Sequence, residues 1–132
     1  MTLGDYLAAA AGKVRVANVH DCCTFIADWA MVLGDPDPMA RWRGAYVTEG
    51  GALELIAAAG GLANLVGPAF EEIGWRRADA PQMGDVGVVA LAGHEGAGIF
   101  SGRRWMLVAD RGVAGVTFTP DHVVACWTRG TA

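Results

Sequence analysis

The hydrophobic pattern of this chain changes period once, near Pro81, and that change constrains its fold class. Before Pro81, apolar residues recur at helical spacing. After it, short segments rich in valine and aromatic residues are separated by Gly, Asp or Pro. Helices first and strands second are typical of an α+β domain with an antiparallel sheet packed on the helices. For 132 residues we expect one domain spanning residues 1–132.

Capping residues and breakers predict where the helices lie. A first helix over 2–11 is capped by Thr2, and a second begins at the N-cap Asp21 and ends at Gly34. A third covers 48–59, and the helical spacing continues over 62–73, where Pro68 either splits the segment or starts a second short helix. About five strands are predicted, at 86–91, 97–101, 104–109, 113–118 and 123–128. Turns are expected near 93–96, 101–102, 110–112 and 120–121.

Composition excludes several classes of function. Hydrophobic residues make up 53% and charged residues 18%, which argues against disorder and leaves apolar surface for a partner. The net charge of −4 and the scattered arginines form no basic face, so no nucleic-acid partner is expected. No apolar run is long enough to span a bilayer, and the first residues lack the pattern of a signal peptide. We therefore expect a chain made in the cytoplasm.

The residue best placed for chemistry is Cys22, which opens the second helix. A helix N-terminus favours the thiolate, the form that attacks a carbonyl carbon. Asp21 and Cys23 belong to the same helix start, where backbone N–H groups would form an oxyanion hole. Cys23 is alternatively a small buried hydrophobic residue. The cysteines and histidines lack zinc spacing and the glycines form no dinucleotide fingerprint, so neither metal nor cofactor is expected.

Three segments of the chain resemble motifs of the papain-like NlpC-type cysteine peptidases. The stretch 21–25, Asp-Cys-Cys-Thr-Phe, is similar to the Asp-Cys-Ser-Gly-Leu/Phe motif that carries the family's nucleophile. Residues 81–86 look like the Pro-Gly-Asp-Leu segment, and residues 96–102 look like His-Val-Gly-Ile-Tyr-x-Gly. The resemblance implies a papain-like domain with Cys22 as candidate nucleophile.

The chain is similar also to small phage and prophage proteins encoded among tail genes. The shared features are the double cysteine, an Arg-Gly-x-Tyr segment at Arg43 to Tyr46, and the Gly-Asp-Val strand. This resemblance implies a tail-tip or baseplate location in a virion, with other tail proteins as partners.

The chain departs from the peptidase motif at the position of the catalytic base. The family histidine aligns with Gly96, and loss of the base typically costs about 10⁴ or more in rate. His94 is the alternative base, two residues earlier and on the same strand face. We favour a solvent-exposed turn residue for His94, and a packing or hydrogen-bonding role for His20 beside the helix start.

Two functions remain open from the sequence, with a cytoplasmic binding domain unrelated to phage as a third. The favoured hypothesis is a non-catalytic tail component acting in assembly or cell-wall contact. The second is an active peptidase or amidase that cleaves peptidoglycan peptides with Cys22. The tryptophans are mostly core residues, yet some are candidate anchors of an interface. The interface candidates are Trp75, Trp105, Trp127, Arg43 and Tyr46.

Overall fold

The computed structural model describes residues 1–129, and it has an α+β architecture of four helices and six strands. The helices α1 to α4 cover Leu3–Ala10, Cys22–Val32, Glu49–Ala59 and Leu62–Glu72. The strands β1 to β6 cover Arg76–Ala78, Val86–Leu91, His94–Phe100, Trp105–Val108, Val113–Val116 and Val123–Thr128. Single 3-10 turns lie at Ala40–Trp42 and Pro120–His122.

The six strands form one antiparallel sheet in the order β1-β6-β2-β3-β4-β5. The strand missing from the sequence prediction is β1, whose Arg-Arg-Ala sequence has no apolar alternation. It forms a strand because its three residues pair with β6, from Arg76 opposite Thr128 to Ala78 opposite Cys126. Pairing, not propensity, therefore decides this element.

The register of β2 and β3 assigns each residue to one face of the sheet. Val88 lies opposite Ala97, and both belong to the main core beneath the helices. Val89 lies opposite Gly96 and Leu91 opposite His94, so these residues face away from the helices, because directly paired residues share a face. We call these the helix face and the outer face.

The turn between β2 and β3 is shorter than predicted. Leu91 pairs with His94, and only Ala92 and Gly93 connect the strands, with φ of 52° and 81°. Positive φ at both residues is the geometry of a two-residue type I′ hairpin. The prediction of a turn across 93–96 is therefore wrong, since residues 94 to 96 already belong to β3.

The helix containing Pro68 is continuous. α4 runs from Leu62 to Glu72 with Pro68 inside it, so both predicted alternatives, a split at Pro68 and a second helix that starts there, are wrong. Its face toward the sheet buries Leu62, Val66 and Phe70, and this packing offsets the hydrogen bond that a proline cannot donate. The preceding residue, Gly61, has no side chain that could cap the helix. Instead the Glu95 carboxylate from β3 accepts a hydrogen bond from the Leu62 amide at 3.2 Å.

No single helix within residues 1–129 is long and apolar enough to cross a bilayer. Together α3 and α4 have the length and the apolar composition of a membrane span, but the chain bends by 78° between them.

Candidate functional site

Asp21 organises the start of α2. Its carboxylate accepts hydrogen bonds from the backbone amides of Thr24 and Asn18, each at 2.8 Å. The Tyr46 hydroxyl donates a third at 2.6 Å. In return the Thr24 hydroxyl accepts from the Asp21 amide, which completes a capping box. The start of α2 is therefore held both by Asn18, which precedes it in the chain, and by Tyr46, which follows it.

Arg43 fixes the same helix further along. Its guanidinium contacts Asp28 of α2 at 2.7 Å and Asp37 of the following loop at 2.9 Å. Although partial burial opposes its charge, these two bonds raise the pKa of Arg43. The Arg43–Tyr46 segment, predicted as an interface candidate, thus binds α2 within the domain, and Tyr46 is buried.

The three tryptophans predicted as interface anchors lie in the interior. Trp75, Trp105 and Trp127 are each no more than 2% exposed. Trp75 donates to Asp35 at 2.9 Å and Trp127 to Glu71 at 3.2 Å. They therefore have the core role expected of most tryptophans in this chain, and their selection as interface anchors is wrong within the domain.

Cys22 is the first residue of α2 and lies half-buried in the wall of a cavity of about 240 Å³. The adjacent Cys23 thiol favours the Cys22 thiolate, and the Ala97 amide and the Arg15 charge add to this effect. Together they lower the pKa of Cys22 against burial and the nearby Asp21 carboxylate. Cys23 itself is buried, and its pKa is raised by Cys22 and by burial. The more reactive thiol is therefore Cys22.

The β3 residue beside Cys22 is Ala97. Its amide influences the Cys22 thiol, and its side chain is fully buried on the helix face. Gly96, which the sequence comparison aligned with the histidine of the NlpC-type peptidases, lies on the outer face, where an added Cβ would meet only Leu107 within 4 Å. A base that reached Cys22 from β3 would therefore have to project from Ala97 or Glu95, which share the helix face, and not from Gly96.

His94, the alternative base, shares the outer face with Gly96, as its strand spacing predicted. It is exposed and lines the rim of the cavity that contains Cys22. No hydrogen bond joins its ring to the Cys22 thiol among residues 1–129. His20 is buried, its ring lies nearly perpendicular to that of Phe25, and its Nε2 has no hydrogen-bond partner in the described part of the chain.

Sequence analysis did not identify three charged residues that line the Cys22 cavity, which are Arg15, Glu49 and Glu95. Arg15 bonds to Glu49 at 2.9 Å, and Glu95 caps α4. Apolar side chains from α3 and α4 complete the wall, among them Leu53 and Leu62. These residues are far apart in the chain, and the fold brings them together from the segment before α2, from α3 and α4, and from β3. Within residues 1–129 no three His, Cys, Asp or Glu side chains are arranged to hold a metal ion.

Residues 1–129 match a protein-family model described as a domain of unknown function, DUF6950, so the chain belongs to that family. No curated protein and no solved structure matches the chain.

Proposed function

We propose that this member of the DUF6950 family is a papain-like, NlpC-type domain that does not hydrolyse peptides and acts as a tail-tip or baseplate component of a phage-type particle. It would serve assembly or contact with the cell wall. The observation that carries the non-catalytic part is that the β3 residue beside Cys22 is Ala97. Its buried methyl group stands where a cysteine peptidase needs a base.

The chemistry of amide cleavage explains why an alanine beside Cys22 matters. A thiolate can attack a carbonyl carbon, but the leaving amine must receive a proton. The methyl group of Ala97 supplies none. Arg15 remains protonated and is bonded to Glu49, while Glu95 is engaged by the Leu62 amide. A site with an activated thiol and no proton donor is therefore better suited to binding a peptide than to cleaving it.

The particle setting is supported by the resemblance to tail-gene proteins. In this structure the shared Arg43–Tyr46 segment and the double cysteine meet at the start of α2. They form one structural unit, which is a physical reason for them to occur together. The partners we propose are other tail or baseplate proteins, with a cell-wall peptide as a possible occupant of the Cys22 cavity.

Two measurements test the proposal. Purified protein is incubated with peptidoglycan and with a synthetic stem peptide, with Cys22→Ala as the matched control. We expect equal, background levels of product from both proteins. The chain is then mixed with a tail-hub protein from the same genome, and we expect a complex in size-exclusion chromatography. Hydrolysis that disappears in Cys22→Ala contradicts the non-catalytic role, and a stable monomer without affinity for the hub contradicts the assembly role.

The second candidate function is an active cysteine peptidase or amidase. It is favoured by the lowered pKa of Cys22 and by His94 at the rim of the same cavity. Movement of the hairpin tip at Ala92 and Gly93 would have to bring the imidazole to the thiol. If this function is correct, His94→Ala and Cys22→Ala abolish hydrolysis to the same extent.

A further inference from the structure

Of the four helices within residues 1–129, α3 alone buries none of its residues. The other three helices each bury at least three side chains, whereas every residue of α3 is half-buried or exposed. Its inner side, with Leu55, Ile56 and Ala59, packs only partly against the core. Elements with few buried apolar contacts open locally at a low free energy, and the lids of binding sites are drawn from such elements.

α3 forms one wall of the cavity that contains Cys22. Ala52, Leu53 and Ile56 line this cavity, and their spacing places them on one face of the helix. Leu53 is 65% exposed although it lines the cavity, so it lies at the mouth. A movement of α3 would therefore change the access of solutes to the Cys22 thiol.

A single ion pair joins a side chain of α3 to another element of the described chain. Glu49, the first residue of the helix, accepts a hydrogen bond from Arg15 Nε at 2.9 Å, and the two side chains are 58% and 33% exposed. Within residues 1–129, no other side chain of α3 forms a hydrogen bond or ion pair outside the helix. In contrast, α2 is bonded to other elements through both Asp28 and Trp29.

The other end of α3 is connected by two glycines. Gly60 and Gly61 join it to α4 with φ of 91° and 128°, a range that glycine adopts without strain. The chain bends by 78° at this point. Beyond it, α4 is fixed by its buried face and by the Glu95 cap. α3 is thus joined to a fixed helix by a glycine hinge at one end and held by an exposed ion pair at the other.

We propose that α3 is a lid on the Cys22 cavity, that the Arg15–Glu49 ion pair is its latch, and that the helix opens about Gly60 and Gly61 to admit a ligand. An exposed ion pair contributes little to stability, so the latch can break without unfolding of the domain. Opening is needed because the cavity of about 240 Å³ is smaller than the roughly 300–1,000 Å³ of typical ligand pockets. The inference rests on the proposed function only in taking the Cys22 cavity as the binding site.

The test compares a small and a bulky thiol reagent on the whole chain. Iodoacetamide is small enough to reach Cys22 while the lid is closed, whereas fluorescein maleimide requires an open lid. Tandem mass spectrometry measures the rate at Cys22 separately from Cys23, for the wild type, Glu49→Gln and Arg15→Gln. Glu54→Gln is the matched control, because Glu54 is an exposed acid of the same helix without an ion pair among residues 1–129. Thermal melting checks that each variant is folded.

The ratio of the two rates separates access from charge. The Arg15 charge favours the Cys22 thiolate, so Glu49→Gln should increase the thiolate fraction and Arg15→Gln should decrease it. Both reagents attack the same thiolate, and this electrostatic effect therefore cancels in the ratio. We expect the ratio of the bulky to the small reagent to rise by about two- to fivefold in both variants, the change that corresponds to loss of an exposed ion pair. Glu54→Gln should keep the wild-type ratio.

Amide hydrogen exchange of the wild-type protein gives a second measurement. We expect the amides of α3 to exchange at least about tenfold faster than those of α2. The inference is overturned if the ratio is unchanged in both latch variants, if it changes in opposite directions in the two, or if Glu54→Gln raises it as much. Equal protection of α3 and α2 would also overturn it. None of these measurements uses peptide hydrolysis or a tail-hub protein, so the lid and the proposed function fail separately.

Discussion

Removing the Asp21 carboxylate should destabilise the domain more than the loss of any other single polar group at the site. The buried carboxylate accepts from two backbone amides and from the Tyr46 hydroxyl. Loss of a helix cap costs about 1 kcal/mol, and each hydrogen bond to a charged group about 1.5–3 kcal/mol. These contributions are not additive, so we expect Asp21→Ala to lower the free energy of unfolding by about 3–4 kcal/mol.

Urea denaturation measures this loss. With a slope of about 2 kcal/mol per M, the midpoint should fall by about 1.5–2 M. Asp21→Asn keeps an acceptor for the Thr24 amide and should cost about half as much. Asp110→Ala removes an exposed aspartate and should leave the midpoint unchanged. If Asp21→Ala costs no more than Asp110→Ala, the account of the helix start is wrong.

Three further predictions concern packing, pH and the missing base. Gly87→Ala should destabilise by about 1–3 kcal/mol, because its Cβ would lie 2.8 Å from Trp105 Cζ3 and 2.9 Å from the Ala125 carbonyl oxygen. Gly96→Ala, on the same face, should be neutral or stabilising in the same urea titration, since only Leu107 at 3.8 Å is near. The hydrogen bond from Arg129 lowers the pKa of Asp35 below 3.8, its ordinary value. The stability that Asp35 contributes is therefore complete above that pH and lost as pH falls through the lower folded pKa, a dependence that Asp35→Asn should flatten in acid titrations of unfolding. Gly96→His should leave the alkylation rate of Cys22 unchanged, because the new ring would stand on the outer face; acceleration would show that the register argument is wrong.

Much of the fold follows from local patterns in the sequence. Asp21 caps α2 as expected, and β2 and β6 have the predicted bounds because each is a short apolar run between clear breakers. Thr2 likewise caps α1. Such elements combine a strong local signal with burial, so propensity and packing agree.

The remaining features depend on contacts that the sequence does not display. β1 requires its partner β6, and the cap of α4 comes from Glu95, 33 residues away. The face on which Gly96 lies depends on the register of a two-residue hairpin, and a shift by one residue reverses it. For the same reason, the sequence could identify Cys22 but not Arg15, Glu49 and Ala97 around it.

The most direct test of the central claim is the pH dependence of the alkylation rate of Cys22 by iodoacetamide, followed by mass spectrometry. The account predicts that Cys22 reacts before Cys23 and Cys126, both of which have a raised pKa. Its rate should follow one ionisation, that of a thiol with a lowered pKa, and should be the same in His94→Ala. A second ionisation near the pKa of an imidazole, abolished by His94→Ala, would reveal a thiolate–imidazolium pair and contradict the account.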